Sequence, residues 1–338
     1  MKYTGKGLTG LSNLGNTCFL NSVMQCISNT HEINKLLDNK EYKNKLNKKA
    51  DSVILLEWDK LREMMWNENC TISPGGFVSA IQKVAKLKEK YLFTGWAQND
   101  LPEFLMFIID CFHNSLNREV IMSINGKSQN DKDELAVKCY SMIINMYSKD
   151  FSEFLDIFYG IHVSIIKSKE NNKILSQVPE SYFMISLPIP DKKNCTIMDC
   201  FDEYTSVETL DGENQYNNDG KKIDALKSLK FWNLPNVLVI DLKRFTNSNK
   251  KLNNHITFPI NGLNLTKYVI GYTKKYIYDL YGVCNHSGSS MGGHYTAYVK
   301  NLNNKWYHYN DTSVTEIKEE NIVTNKAYCF FYKKRSRF

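Results

Sequence analysis

The residue with the clearest chemical potential is Cys18, because turn-forming residues precede it and apolar residues recur at helical spacing after it. We therefore expect Cys18 to begin an amphipathic helix, with Gly15 at positive φ and Thr17 or Asn16 as the helix cap. The N–H groups and positive dipole at a helix N-terminus favour thiolate over thiol. The sequence thus predicts an outward-facing nucleophile with a lowered pKa, although a cysteine packed in the core is the alternative.

Asn13 lies five residues before this cysteine and carries a side-chain amide. Together with the backbone amides of the helix N-terminus, that amide could stabilise the oxyanion of a tetrahedral intermediate. One short segment therefore offers both a nucleophile and a means of charge stabilisation.

A nucleophilic cysteine needs a base, and the chain contains seven histidines. His294 follows two glycines and precedes alternating apolar residues, so we expect it to begin a strand after a mobile loop over 289–293. His286 is a second candidate for the cleft, although a surface or structural position is favoured for it.

The base in turn needs an orienting partner, and the aromatic segment 305–312 offers two polar residues. Strand alternation places Asn310 and Asp311 on opposite faces. Only one of them is therefore expected to face His294.

These segments resemble the signature motifs of the ubiquitin-specific protease family, and the resemblance extends over nearly the whole chain. The matching segments are residues 10–22 (the cysteine box), 98–104, 241–245, 256–260 and 292–298 (the histidine box). The resemblance implies that Cys18 is the nucleophile, His294 the general base and acid, and Asn310 the orienting residue. It also implies that Asn13 binds the oxyanion and that Asp311 serves the adjoining loop and oxyanion region.

The same resemblance implies ubiquitin as the substrate. Asp100 matches an aspartate that contacts the C-terminal tail of ubiquitin, whose arginines suit a carboxylate partner. From the residues alone, a cap on the following helix is the favoured interpretation of Asp100. Gln98, Gly292, Gly293 and Tyr295 are expected to line the path of the tail.

Helical periodicity dominates the first half of the chain and strand alternation begins near Phe158, which favours an α+β fold over repeated βαβ units. The resemblance implies a papain-like cysteine protease fold with a helical thumb, a β-sheet palm and fingers built from β-hairpins. We expect a single catalytic domain over 1–338, with the thumb at 8–157, the fingers at 158–235 and the palm at 236–338.

Many members of the family hold the tip of the fingers with two C-x-x-C pairs that bind structural zinc. This sequence has Ser168 and Asn171 at the first pair and the polar run 217–220 at the second. Cys195 and Cys200 have the wrong spacing for such a pair, so packing is favoured for them. We therefore expect neither a zinc ion nor any other cofactor.

The nine cysteines are odd in number and contain no C-x-x-C pair, which favours reduced thiols in an intracellular protein, either cytoplasmic or nuclear. No apolar run approaches the roughly 20 residues of a membrane span, and the first residues do not resemble a signal peptide. The net charge of +7 permits weak nucleic-acid binding, but solvated surfaces are favoured for the basic runs at 35–49 and 333–337. Lys243 and Arg244 are interpreted as structural ion-pair partners.

We expect a monomeric thiol protease of the deubiquitinase class, which cleaves the (iso)peptide bond after the terminal Gly-Gly of ubiquitin through a Cys18 thioester. Three alternatives stay open. They are a catalytically silent ubiquitin-binding module, a protease for another ubiquitin-like modifier, and a basic nucleic-acid-binding protein.

Overall fold

The computed structural model describes residues 3, 5–95, 97–246, 248, 250–273, 275–289 and 292–335. Two residues of the expected loop at 289–293, Ser290 and Met291, lie outside the described residues. The same holds for the last residues of the basic run at 333–337.

Helices dominate the first half of the described chain, as the periodicity predicts. The α-helices are α1 (Cys18–Ser28), α2 (His31–Asp38), α3 (Asp51–Asn67), α4 (Gly75–Leu87), α5 (Leu101–Leu116), α6 (Asp131–Tyr147), α7 (Glu153–Phe158) and α8 (Ile197–Tyr204). Within the described ranges, no helix is both long and apolar enough to span a lipid bilayer.

Strands dominate the second half. They are β1 (Gly10–Leu11), β2 (Thr71–Ile72), β3 (Gly160–Ser168), β4 (Ile174–Tyr182), β5 (Met184–Leu187), β6 (Glu208–Leu210), β7 (Tyr216–Asn218), β8 (Lys221–Ile223), β9 (Ala225–Asn233), β10 (Val237–Leu242), β11 (Leu263–Asn264), β12 (Ile277–Ser289), β13 (Gly292–Lys300), β14 (Trp306–Asn310), β15 (Ser313–Ile317) and β16 (Ala327–Lys334).

The larger sheet has the order β15-β14-β13-β12-β16-β10-β5, with β11 paired to β12. Its pairs are antiparallel except for β10 and β5, which run parallel. Alternate residues of β10 enter two different cores: Val239 packs with the helices, whereas Ile240 packs on the opposite face with α8. Both faces of the sheet are therefore covered, which explains the continuous apolar run in this strand.

Helix α1 lies at the centre of the helical half and packs against β12, β13 and β14 of the larger sheet. The helix begins at Cys18 as expected, but all eleven of its residues are buried, so its polar side does not face solvent. Its polar side chains find partners inside the protein, as when the Gln25 amide donates to the Thr9 carbonyl oxygen at 2.8 Å. This burial fixes α1 rigidly against the strands that carry the other candidate residues.

A smaller antiparallel sheet has the order β4-β3-β9-β6, and β7 and β8 form a separate hairpin. Ser168 ends β3, and residues 217–220 form the end of β7 and the turn that joins it to β8. Cys195 and Cys200 are buried beside α8 with their sulfurs 3.8 Å apart, which is consistent with packing. The expectation of a metal-free tip remains a prediction.

All nine cysteines are free thiols.

Arg244 is fully buried and donates to backbone carbonyl oxygens of Ala327, Leu252 and Asn254 at 2.8–3.0 Å. Arg244 makes no ion pair with any described residue. Its interpretation as an ion-pair partner is therefore wrong, because backbone carbonyl oxygens accept its hydrogen bonds instead.

Candidate active site

The turn before α1 has the conformation that its residues predict. Gly15 adopts φ +97° and Asn16 adopts φ +55°, and the chain then enters the helix at Cys18. Thr17 occupies the cap position, but its hydroxyl makes no capping bond to the helix. It instead accepts a hydrogen bond from the Leu14 amide at 2.9 Å. The expected threonine cap is therefore wrong, and the hydroxyl stabilises the turn.

The Cys18 thiol is buried, because only 2% of the residue is exposed. Burial raises its pKa above the ordinary value, and the nearby charge of Asp311 acts in the same direction. Backbone amides of Tyr295, Phe19 and Cys18 itself favour the thiolate but do not outweigh burial. The expected outward-facing thiol with a lowered pKa is therefore wrong for this structure. The Tyr295 contact also places the sulfur beside β13, next to His294.

Asn13 is held in one orientation by the turn. Its side-chain oxygen accepts hydrogen bonds from the backbone amides of Gly15 and Thr17, each at 3.1 Å. The amide nitrogen consequently points the other way and donates to a carboxylate oxygen of Asp311 at 3.0 Å. One N–H of the Asn13 side-chain amide thus binds Asp311, and its second N–H can donate a hydrogen bond to another group.

Asp311 lies in the tight turn between β14 and β15 with φ +48°. Its second carboxylate oxygen accepts a hydrogen bond from the Asn21 side chain on α1 at 2.8 Å. Its carbonyl oxygen accepts one from the Leu11 amide at 2.9 Å. A Cβ at Gly10 would lie 2.3 Å from the carbonyl oxygen of Thr312, so only glycine permits this close approach. The turn after β14 is therefore fastened to both sides of the cysteine segment.

His294 and Asn310 meet across neighbouring strands. Ala297 of β13 pairs with Tyr309 of β14, so Asn310 lies on the same face as Thr296 and His294. The Nε2 atom of His294 lies 2.6 Å from the side-chain oxygen of Asn310. The structure thus places Asn310, and not Asp311, against the imidazole.

Gln98 bridges the segment before α5 and the start of β13. The Gly293 amide donates to the Gln98 side-chain oxygen at 3.0 Å, and the Gln98 amide nitrogen donates to the Gly293 carbonyl oxygen. Gly292 beside it is exposed. Two of the expected substrate-binding residues are therefore joined directly to each other.

Asp100 takes the cap position of α5 by backbone conformation, but its carboxylate makes no capping bond. It accepts a hydrogen bond from the Tyr328 hydroxyl at 2.8 Å. Desolvation by the surrounding protein raises the pKa of Asp100 above its ordinary value, and the charge of Glu103 acts in the same direction. The ring of Tyr295 lies near that of Tyr328, with centroids 6.3 Å apart. Asp100 thus faces the sheet instead of its own helix.

A cavity of about 440 Å³ adjoins these residues and is lined in part by Gln98, Asp100, Tyr295 and Tyr328. His286 also lines it, as the less favoured interpretation of that residue predicted, and so does Asp241, which the sequence reasoning did not assign to the site. The cavity therefore extends the site along the larger sheet.

His286 is 3% exposed, and its ring lies 4.6 Å from that of Tyr295. Burial and the charge of Lys251 lower the pKa of His286 to about 4, so it is neutral at pH 7. Burial raises the pKa of Asp241 to about 6, and the charge of Asp100 contributes to the rise. An aspartate within the apolar run of β10 was the available sequence signal for Asp241.

Comparison with known proteins assigns the chain to a family. The family model described as ubiquitin carboxyl-terminal hydrolase matches residues 9–332. Ubiquitin carboxyl-terminal hydrolase 2 of Homo sapiens is 33% identical over 342 residues, covering 97% of this chain and 55% of that protein. The Gallus gallus protein of the same name is 32% identical, covering 97% of this chain and 93% of that protein. The chain thus spans about half the length of the human relative.

Solved structures agree with this assignment. The Ubp8/Sgf11/Sus1/Sgf73 DUB module of SAGA bound to ubiquitin aldehyde contains a chain with a TM-score of 0.78 and 26% identity, covering 99% of this chain and 71% of that chain. The module bound to monoubiquitin gives a TM-score of 0.76 and 25% identity, covering 100% of this chain and 71% of that chain. The expected α+β, papain-like fold is confirmed. The chain belongs to the ubiquitin carboxyl-terminal hydrolase family.

Proposed function

We propose that the protein is a thiol-dependent deubiquitinase that cleaves the (iso)peptide bond after the terminal Gly-Gly of ubiquitin. The observation that carries the proposal is the 2.6 Å contact between the side chains of His294 and Asn310. His294 lies on β13, and the backbone amide of the next residue, Tyr295, contacts the Cys18 sulfur. A nucleophile, a base and an orienting group are thus brought together. The ubiquitin bound in the similar SAGA module supports ubiquitin as the substrate.

The first step follows from the state of the thiol. Because burial raises the Cys18 pKa, the thiol is protonated at neutral pH and needs a base when it attacks. With Nε2 held by Asn310, the Nδ1 atom of His294 is the nitrogen that takes the proton. The sulfur then adds to the carbonyl carbon of the terminal glycine.

The tetrahedral intermediate carries a negatively charged oxygen. The free N–H of the Asn13 amide and the backbone amide of Cys18 are the proposed donors to it. Asp311 does not contact this oxygen and instead positions Asn13 through the 3.0 Å hydrogen bond between them.

Collapse of the intermediate breaks the carbon–nitrogen bond. Protonated His294 gives its proton to the departing lysine amine, and a thioester remains on Cys18. A water molecule, deprotonated by His294, then attacks the thioester, and the products are the ubiquitin carboxylate and the free thiol. Neither hydrolytic step requires a metal or an organic cofactor.

The tail of ubiquitin is proposed to approach between the segment before α5 and the start of β13. Gln98, Gly292 and Gly293 would border the narrow end of this path, where the terminal glycines pass. Asp100 and Tyr295 would line the wider part beside the cavity. Entry of the tail requires the Gln98–Gly293 bridge to open or to exchange its hydrogen bonds.

Hydrolysis of a fluorogenic ubiquitin amide tests the proposed activity. The wild type is expected to release the fluorophore, and Cys18→Ala is expected to release none while it keeps the wild-type unfolding temperature. Turnover that survives in Cys18→Ala would contradict the proposal. Parallel assays with other ubiquitin-like amides decide whether ubiquitin is the preferred modifier.

We further propose one catalytic domain over 1–338, divided at about 157 and 235 into thumb, fingers and palm, that acts as a monomer in the cytoplasm or nucleus. Ser168 and Asn171 cannot replace zinc-binding thiolates, which supports a metal-free fingers tip. One equivalent of zinc in the purified protein would contradict that part of the proposal.

A further inference from the structure

The strands that carry His294 and Asn310 come from a stretch of the chain that is poor in acidic residues. From Leu242 to Asn310 the sequence contains nine lysines and arginines and a single carboxylate, Asp279. Asp279 lies at the end of β12 that is remote from His294, and it is already paired with Arg335 at 2.7 Å. The basic residues near the active-site end of the sheet therefore find little compensation within this stretch.

Lys326 places a positive charge close to the catalytic histidine. The backbone amide of His286 on β12 donates to the Lys326 carbonyl oxygen at 2.8 Å. His286 pairs with Tyr295 of β13, so only β12 separates Lys326 from the strand that carries His294. The side chain of Lys326 is exposed.

Two further basic groups lie near Lys326. The Lys251 ammonium donates to the His286 carbonyl oxygen at 2.8 Å, and His308 lies on β14 opposite Tyr298 of β13. Burial lowers the pKa of Lys251 and of His308, and the positive charge of Lys326 lowers each pKa further. Lys251, His308 and Lys326 thus form one group of interacting positive charges, here called the basic rim.

The nearest carboxylates do not neutralise the basic rim. Its three members form no ion pair with any carboxylate of the described residues, and no carboxylate contributes to the two lowered pKa values. Asp311 accepts hydrogen bonds from Asn13 and Asn21 on the cysteine segment, and Asp241 is buried against the Ser186 hydroxyl. Because like charges repel, a negative group from outside the chain would stabilise the basic rim.

The course of the reaction indicates which molecule would supply that negative group. The ubiquitin tail is proposed to lie beside Gln98 and Tyr295, and Tyr295 packs on the helical side of the sheet. His308 lies on the opposite face, together with Asn310, which holds His294. The departing lysine takes its proton from the His294 ring and leaves in the direction away from the tail. The residues that flank this lysine would therefore pass the basic rim.

We propose that the basic rim binds acidic residues on either side of the modified lysine in the ubiquitinated protein, with Lys326 as a specificity-determining residue. This inference rests on the proposed deubiquitinase function and adds a preference for the protein from which ubiquitin is removed. Charges at the border of an interface act on association and on the choice of partner. The preference is therefore expected in kcat/KM and not in kcat.

Ubiquitin joined through an isopeptide bond to the lysine of a fluorescent synthetic peptide tests the inference. Two peptides of equal length are compared, one with aspartates on both sides of the lysine and one with asparagines. The wild type is expected to cleave the aspartate conjugate with about fivefold higher kcat/KM at low salt. The difference should shrink at about 0.3 M salt, because exposed charges are then screened. Lys326→Glu is expected to lose the preference.

Lys43→Glu is the matched control, because it makes the same change of charge at an exposed position between α2 and α3. It should keep the preference for the aspartate conjugate. Equal kcat/KM values of the wild type for the two conjugates would overturn the inference, and so would a preference that Lys326→Glu retains. A preference lost equally in Lys43→Glu would also overturn it, by assigning the effect to net charge.

Fluorogenic ubiquitin amide separates this inference from the proposed function, because it carries no peptide beyond the bond that is cleaved. Lys326→Glu should hydrolyse it as fast as the wild type, which also shows that the variant is folded. Cys18-dependent hydrolysis of the amide without any preference between the conjugates would overturn the inference alone. Binding of single-stranded RNA through Lys326, again without a preference between the conjugates, would assign the basic rim to nucleic acid instead.

Discussion

At the scale of single residues, the buried Cys18 thiol determines how the reaction has to begin. A cysteine whose pKa is lowered at a helix N-terminus is already a thiolate before the substrate binds. In this protein, burial and the charge of Asp311 favour the protonated thiol of Cys18. His294 must therefore act as a base in the attack itself, and its orientation becomes decisive. The Asn310 contact at 2.6 Å supplies that orientation.

Asn310→Ala is expected to lower kcat by about 10²-fold, because the imidazole loses the hydrogen bond that directs Nδ1 toward the sulfur. The unfolding temperature should change little, since Asn310 is exposed at the end of β14. Steady-state kinetics with fluorogenic ubiquitin amide provide the measurement. A full loss in Asp311→Ala, with none in Asn310→Ala, would reverse the assignment of the orienting residue.

Asn13→Ala is expected to lower kcat by about 10²–10³-fold and to leave KM nearly unchanged, because the lost donor acts on the oxyanion and not on the ground state. Asn21→Ala removes the other side-chain amide that holds Asp311 but leaves the proposed oxyanion donor in place. It should therefore have a smaller effect on kcat. Equal losses in the two variants would show that Asn13 acts by holding the turn.

At the scale of elements, the active site depends on how three backbone segments approach one another. The register of β13 and β14 sets the distance between His294 and Asn310. The turn after β14 is fastened to the cysteine segment through Leu11 and Asn13. Small residues make these approaches sterically possible, and Gly293 is the clearest case.

Gly293→Ala is expected to destabilise the protein by about 1–3 kcal/mol and to impair turnover. The added Cβ would lie 2.3 Å from the His286 Nε2 atom and 2.4 Å from the Ser287 carbonyl oxygen, so the start of β13 would have to move. Gly292→Ala is a matched control for stability, because the nearest contact there is an ordinary 3.8 Å. Chemical denaturation of the two variants provides the measurement, and equal stabilities would contradict the steric argument.

Local sequence patterns were sufficient for the elements that carry the site. Gly15 at positive φ and the helix that begins at Cys18 follow from turn chemistry and helical periodicity. Alternation predicted that only one of Asn310 and Asp311 faces His294, and the family resemblance was needed to select Asn310. The burial of Cys18 did not follow, because it depends on strands that are distant in sequence. The Gln98–Gly293 bridge was missed for the same reason.

At the scale of the whole molecule, the larger sheet has cores on both faces, and a charge inside it affects the stability of the entire fold. Asp241 is such a charge. The groups that bear on it are Ser186, Asp100, Lys243, Tyr204, Tyr328 and Cys329. A residue that destabilises the sheet is more readily explained by a role in function than by a role in folding.

The pKa of Asp241 is about 6 in the folded protein and 3.8 as its ordinary value. Between these pH values the folded state binds more protons than the unfolded state, so the free energy of unfolding falls as the pH rises through this window. At pH 7.5 the ionised carboxylate therefore costs about 2–3 kcal/mol of stability. Asp241→Asn should be more stable than the wild type by about that amount at pH 7.5, and the difference should shrink toward pH 4.

Urea denaturation of both proteins between pH 4 and pH 8 measures this difference. His286 has the opposite dependence, because its pKa of about 4 in the folded state lies below the ordinary value of 6.5, and stability is lost as the pH falls between them. That contribution is shared by both proteins and cancels in the comparison. A variant that is less stable than the wild type at pH 7.5 would contradict the argument that the buried charge destabilises the sheet.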